Sequence, residues 1–236
     1  MNQIIYRAKE RGHFNHGWLD TYHSFSFAQW FDPNKMGFGL LRVLNDDTIA
    51  PGKGFGMHPH DNMEIVTIIL KGSLKHRDSM GNEGIIQENE IQAMSAGTGI
   101  LHSEFNPSET ELCSLLQIWI KPSKFDIKPR YEQKSFNSSE KKNRFMTLVS
   151  PKKSEETMFI NQNAYFSIAE INKDIKIEYS INDVNNGLFI FVIEGEININ
   201  DDMLQRRDAI GIYDTSSITI QSQSKSEVLV IEVPLK

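Results

Sequence analysis

Apolar residues come in short runs along the chain, each interrupted by polar or turn-forming residues, and helical spacing is weak everywhere. The pattern predicts strands over 38–44, 64–70, 73–77, 85–88, 91–95 and 112–120, then over 145–149, 164–171, 175–181, 188–193, 196–200, 209–213, 217–221 and 227–233. Turn signals punctuate them, among them D-S-M-G-N-E-G at 78–84 and N-D-V-N-N-G at 182–187. Many short strands at close spacing specify an all-β sandwich or barrel. The polar stretch Q-K-S-F-N-S-S-E-K-K-N-R at 133–144 offers little to bury and reads as a linker. Pro122 and Pro129 before it mark an irregular surface connection. The expected division is therefore 1–132, a linker over 133–144, and 145–236.

The two halves share a local pattern. I-I-L-K-G-S-L-K at 68–75 is matched by F-V-I-E-G-E-I-N at 191–198, each an apolar run, a charged residue, a glycine and a second strand. Aligned on Gly72 and Gly195, His58 and His60 fall opposite Ile181 and Asp183. All seven histidines lie at or before His102, so any chemistry that needs imidazole belongs to the first half.

Composition narrows the class. With 236 residues, 39% hydrophobic and 24% charged, the chain is long enough to bury a sizeable core. A net charge of -6 argues against a direct nucleic-acid binder, which needs a basic face. The single cysteine, Cys113, allows no intrachain disulfide and lies in an apolar run, as a core thiol does. No apolar run approaches the ~20 residues of a membrane span, and the opening residues carry no secretory h-region. The expectation is a cytoplasmic protein.

The candidate chemistry lies in G-F-G-M-H-P-H-D-N-M-E at 54–64. Side chains two apart on a strand share a face, so His58 and His60 can both look into a barrel. His102 and Glu104 repeat that spacing after the glycine-rich turn S-A-G-T-G. Pro59 cannot donate to a ladder and puts its segment at a strand start or an edge. If the two segments are neighbours, three imidazoles and one carboxylate converge, a donor set for divalent iron, copper, nickel, manganese or zinc. Four ligands on a six-coordinate ion leave two positions open.

Gly52, His58, His60 and Glu64 together resemble the first cupin motif, and Gly97, His102 and Asn106 an altered second one. Ser95 stands where that motif has proline, Asn89 where it has glycine, and the gap to the histidine is two residues longer. Those departures resemble one branch, the pirins, and among them the bacterial pirin-like quercetin dioxygenases. The resemblance extends over residues 11–28, 31–47, 78–84, 94–107 and 117–133.

It implies two tandem cupin barrels of the double-stranded β-helix, jelly-roll-like type, with a metal-binding N-terminal cupin and a degenerate C-terminal one without ligands. It implies one divalent metal held by His58, His60, His102 and Glu104. The family metal is usually iron, Fe(II), with copper, nickel, manganese, cobalt or zinc as other occupants. Glu64, a ligand in many other cupins, is not one in pirins and is expected to support the ligands from behind or to handle protons, with Glu104 the other candidate catalytic carboxylate.

The leading expectation is a dioxygenase that cleaves flavonols such as quercetin with O2. It would need a polyphenol substrate, no nucleic acid and no membrane, and would act as a monomer. The alternative is a pirin-type co-regulator, whose metal tunes a surface that docks transcription regulators or metabolic enzymes. A third reading is an isomerase or hydrolase using the ion as a Lewis acid. His13, His16 and His23 are read as structural, with His23 near the pocket mouth, and His76 as structural or exposed. Trp18, Trp30, Phe25 and Phe27 are read as core packing that would also suit a flat substrate.

Overall fold

The computed structural model describes residues 2–236. The first half contributes β1 (Asn2–Tyr6), β2 (Gly12–Asn15), β3 (Leu19–His23), β4 (Leu41–Ile49), β5 (Gly54–His60), β6 (Glu64–Lys71), β7 (Ser73–Asp78), β8 (Glu83–Gln87), β9 (Glu90–Ser95), β10 (Ile100–Phe105), β11 (Cys113–Ile120) and β12 (Arg130–Ser135). The second contributes β13 (Met146–Ser150), β14 (Met158–Phe159), β15 (Tyr165–Ile171), β16 (Lys176–Ser180), β17 (Asn186–Glu194), β18 (Glu196–Ile199), β19 (Asp202–Gln205), β20 (Ala209–Tyr213), β21 (Ser217–Ser222) and β22 (Ser226–Pro234). Two short 3-10 turns, at Ala8–Glu10 and Ser138–Lys141, are the only helical elements among the described residues.

Each half folds a seven-stranded sheet over a four-stranded one, giving two jelly-roll-like barrels. The first pairs β12-β9-β6-β11-β4-β3-β2 with β5-β10-β7-β8; the second pairs β1-β20-β17-β22-β15-β13-β14 with β16-β21-β18-β19. Strand β6 is apolar along most of its length because β9 and β11 flank it and both its faces are covered. Strands β5 and β10 were absent from the hydrophobic pattern. Glycine, proline and polar residues occupy them, and they form because they pair with each other.

Two features depart from the expected division. Strand β12 runs through the 132/133 boundary and pairs with β9 as far as Ser135, so the seven-stranded sheet of the first barrel reaches into the stretch read as a linker. The physical reason is that ladder hydrogen bonds are made by the backbone and do not require apolar side chains. Strand β1 belongs to the second barrel, paired along its length with β20. The chain thus begins on one barrel and crosses to the other.

The seam is apolar. Phe25 and Phe38 from the first half meet Phe189 from the second, with ring centroids 5.3 and 5.6 Å from it. Gly211 is required here: a Cβ would come within 2.4 Å of the Phe38 ring. The interior of the second barrel is filled by Leu188, Ile190, Val192, Ile197, Ile210, Ile220 and their neighbours. The interior of the first is not filled in this way; its buried residues include His76, His102, Glu104, Gln92 and Thr67.

Candidate metal centre

The two ligand-type pairs do lie on neighbouring strands. Strand β5 is the edge strand of its sheet, which tolerates Pro59, and it pairs with β10 so that His58 sits directly opposite His102. A register shift follows between His102 and Glu104, where β5 holds one residue more than β10, and such a bulge re-aims the side chains beside it. Gly54 allows the close approach, since a Cβ there would fall 2.1 Å from the Glu104 carbonyl oxygen. On the other side of β10 the register is regular, and Glu104 faces His76 while His102 faces Asp78.

Two donor groups result, sharing His102. The donor atoms of His58, His60 and His102 all lie within 4.8 Å of one another, and so do those of His76, His102 and Glu104. The expected residues are thus divided between two groups: His58 and His60 meet His102, and Glu104 meets His102 alongside His76. The sequence reads His76 as structural or exposed; it is fully buried. The alternation of Leu74, His76 and Asp78 on one face of β7 was the available signal.

Hydrogen bonds orient the donors. His58 Nδ1 lies 2.8 Å from the Gly56 carbonyl oxygen. A carbonyl only accepts, so Nδ1 carries the proton and Nε2 keeps a lone pair. Glu104 accepts from Gln117 Nε2 at 2.9 Å and from Gln92 Nε2 at 3.3 Å. His76 Nε2 faces Asp78 Oδ2 at 3.3 Å. Both ring nitrogens of His102 are buried and have no hydrogen-bond partner. Buried polar atoms are nearly always satisfied, so this imidazole fits a role in which a cation takes its lone pair.

Burial also sets the charges. It pushes His102 down to about 2, helped by His58, His60 and His76, and His60 down to about 4, helped by His58. Both rings stay neutral, as ligation requires. Burial raises Glu104 to about 7, opposed by the Gln92 hydrogen bond and assisted by Asp47. A nearby cation would return it to the carboxylate.

A cavity of about 280 Å³ opens onto the cluster, with His58, His60, Glu104 and Trp119 at one end and Thr21, His23, Asn45 and Asp47 among its other walls. Phe27 and Phe55 line it as well. His16 and His23 therefore face the cavity, whereas His13 is exposed and pairs with Asp20 at 2.7 Å.

Glu64 stands apart from the cavity. Its carboxylate is buried, but it accepts from the Ser95 hydroxyl at 2.8 Å and from the Asn161 backbone N–H at 3.0 Å, and it does not line the cavity. It starts β6 opposite Ser95, so its side chain reaches the second barrel and ties the two together. In that barrel, Ile181 packs on the apolar core, and Asp183 accepts from Asn163 Nδ2 at 2.7 Å. Cys113 is buried, which pushes its thiol up to about 12, in keeping with an inert core residue.

Comparison with known proteins gives a consistent picture. The Pirin family profile matches residues 6–120, and that of the Quercetinase C-terminal cupin domain matches residues 147–233. The chain is 44% identical over 230 residues to the quercetin 2,3-dioxygenase of Escherichia coli K12, covering 97% of each. It is 42% identical to a putative quercetin 2,3-dioxygenase of Zymomonas mobilis, covering 94% of each. Among solved structures, the nickel(II) complex of the Escherichia coli bacterial pirin YhhW superposes with a TM-score of 0.93 at 42% identity, covering 99% of both chains.

Proposed function

The chain belongs to the pirin family, and on that footing we propose that it is a metal-dependent dioxygenase cleaving flavonols such as quercetin, its cation held by His58, His60, His102 and Glu104. The observation that carries this reading is the unpartnered, neutral His102 imidazole, with His58 and His60 in ligand range beside it and an aromatic cavity opening onto them. When bound, a divalent cation would accept a substrate hydroxyl at an open position and stabilise its deprotonated form. Fe(II) is the first candidate. Nickel, copper, manganese, cobalt and zinc suit the same donors, and the related nickel complex supports such breadth.

The chain's own residues do the rest. Gln92 and Gln117 fix the Glu104 carboxylate from two sides, so it can take the hydroxyl proton without moving away. The Trp119 indole N–H, buried and unpartnered, is a donor for a substrate carbonyl. Phe27, Phe55 and Trp119 exclude water and offer faces to a flat ring system. The electron-rich enediolate then takes up O2, and the ring opens with release of carbon monoxide.

Among the described residues no helix is long and apolar enough to cross a membrane. The division of labour we infer is a catalytic first barrel and a structural second one. Oxygen uptake tests the reading. Quercetin added to the metal-loaded protein should consume O2 in step with carbon monoxide release, and exclusion of O2 or removal of the metal should stop both. Turnover that proceeds unchanged without O2 would contradict it.

A further inference from the structure

One row of side chains crosses the large sheet of the first barrel at a single register. His23 pairs with Asn45, Asn45 with Gln117, Gln117 with Thr67, and Thr67 with Gln92. Residues in such a row present their side chains to the same face. All five here are polar and buried. A sheet face turned to a barrel interior is ordinarily apolar, as the second barrel illustrates.

The two ends of the row differ. At one end the amide nitrogens of Gln92 and Gln117 are committed to Glu104, Thr67 donates to the Gln117 carbonyl at 3.1 Å, and the one unpartnered oxygen, Gln92 Oε1, belongs to a residue that does not line the cavity. At the other end Asn45 Oδ1 and His23 Nδ1 are buried and have no partner, although both residues are at least nine-tenths buried and line the cavity. The next rung joins Thr21 to Asp47, where the threonine hydroxyl donates to the carboxyl. An aromatic wall connects this end to the metal ligands: His23 packs edge-on to Phe27 at 5.1 Å, Phe27 to Trp119 at 5.3 Å, and Trp119 to His60 at 4.9 Å.

We propose that His23, Asn45 and Asp47 form a second binding subsite, which takes a substrate hydroxyl remote from the one at the cation. The proposal rests on the flavonol reading of the cavity and narrows it. An amide and an imidazole each offer either a donor or an acceptor, and a hydroxyl can answer both. A carboxylate would meet the Asp47 carboxyl and is disfavoured. Burial keeps the His23 ring neutral, down to about 4, so it retains one lone pair.

Spacing sets the substrate's length. Neighbouring strands lie about 4.8 Å apart. Asn45 is one strand from Gln117, the residue that holds Glu104, and His23 is two. Measured across the sheet, the subsite therefore lies on the order of 5–10 Å from the residue that holds Glu104. Vicinal hydroxyls of a single ring are too close together to span that gap. The substrate class is a planar phenol of two or more rings, with recognised hydroxyls on different rings.

Anaerobic binding titrations of the metal-loaded protein test this without relying on turnover. Quercetin and 3-hydroxyflavone share the group that meets the cation but differ in remote hydroxyls. The wild type should prefer quercetin on the order of tenfold, the scale of a buried hydrogen bond. Asn45→Ala and His23→Ala should bring that ratio close to one while leaving 3-hydroxyflavone binding and metal content as they were. The unchanged 3-hydroxyflavone affinity serves as the control for folding, and Asn45→Ser should restore part of the preference. A preference that persists in both alanine variants would overturn the subsite and leave the flavonol reading standing. Failure of the wild type to bind either flavonol would overturn both.

Discussion

At the scale of single residues, the site combines donors held by hydrogen bonds with an imidazole, His102, whose nitrogens have no partner. Glu104 is held by two amides, and the His58 proton is fixed by a backbone carbonyl, so the donors are aimed before any ion arrives. Supporting partners of this kind typically change metal affinity by about 10–100-fold when removed. Gln117→Ala should therefore weaken metal binding by about that factor in a chelator competition, with the strands around it intact. An unchanged affinity would mean that Glu104 needs no amide to hold its place. The H-x-H and H-x-E spacings are visible in the sequence because strand side chains repeat every two residues. His76 was not legible in the same way. Its place beside Glu104 comes from the register of β7 on β10, a pairing between segments almost thirty residues apart along the chain, which no local pattern encodes.

At the scale of elements, β5 and β10 show why the hydrophobic pattern fell short. Both strands turn polar groups inward, so the alternation that normally marks a strand carries the opposite meaning in them. The apolar strands β6, β11, β15, β17 and β22 follow the pattern closely because both of their faces are buried. Glu64 belongs to this scale as well, since its work is to join β6 to Asn161 in the other half. Glu64→Ala leaves a buried hydroxyl and a backbone N–H without their acceptor, which costs about 1–3 kcal/mol. Denaturant unfolding should show a loss of that size, while turnover per bound metal stays at the wild-type value. A collapse of turnover with metal content and stability preserved would instead give this residue a part in proton handling.

At the scale of the whole molecule, the two barrels share a plan and differ in what fills them. The second is packed with isoleucine, leucine and valine and has no histidine, so it can brace the first but has no imidazole to offer an ion. That asymmetry was legible from the histidine positions alone. The crossing of β1 to the second barrel was not, because its pairing with β20 joins opposite ends of the sequence. Metal content measured by elemental analysis tests the central claim most directly. One divalent ion per chain is expected in the wild type, with its loss in His102→Ala and full retention in Ile181→Ala and Asp183→Ala. Wild-type metal content in His102→Ala, or an ion lost from the second-barrel variants, would contradict it.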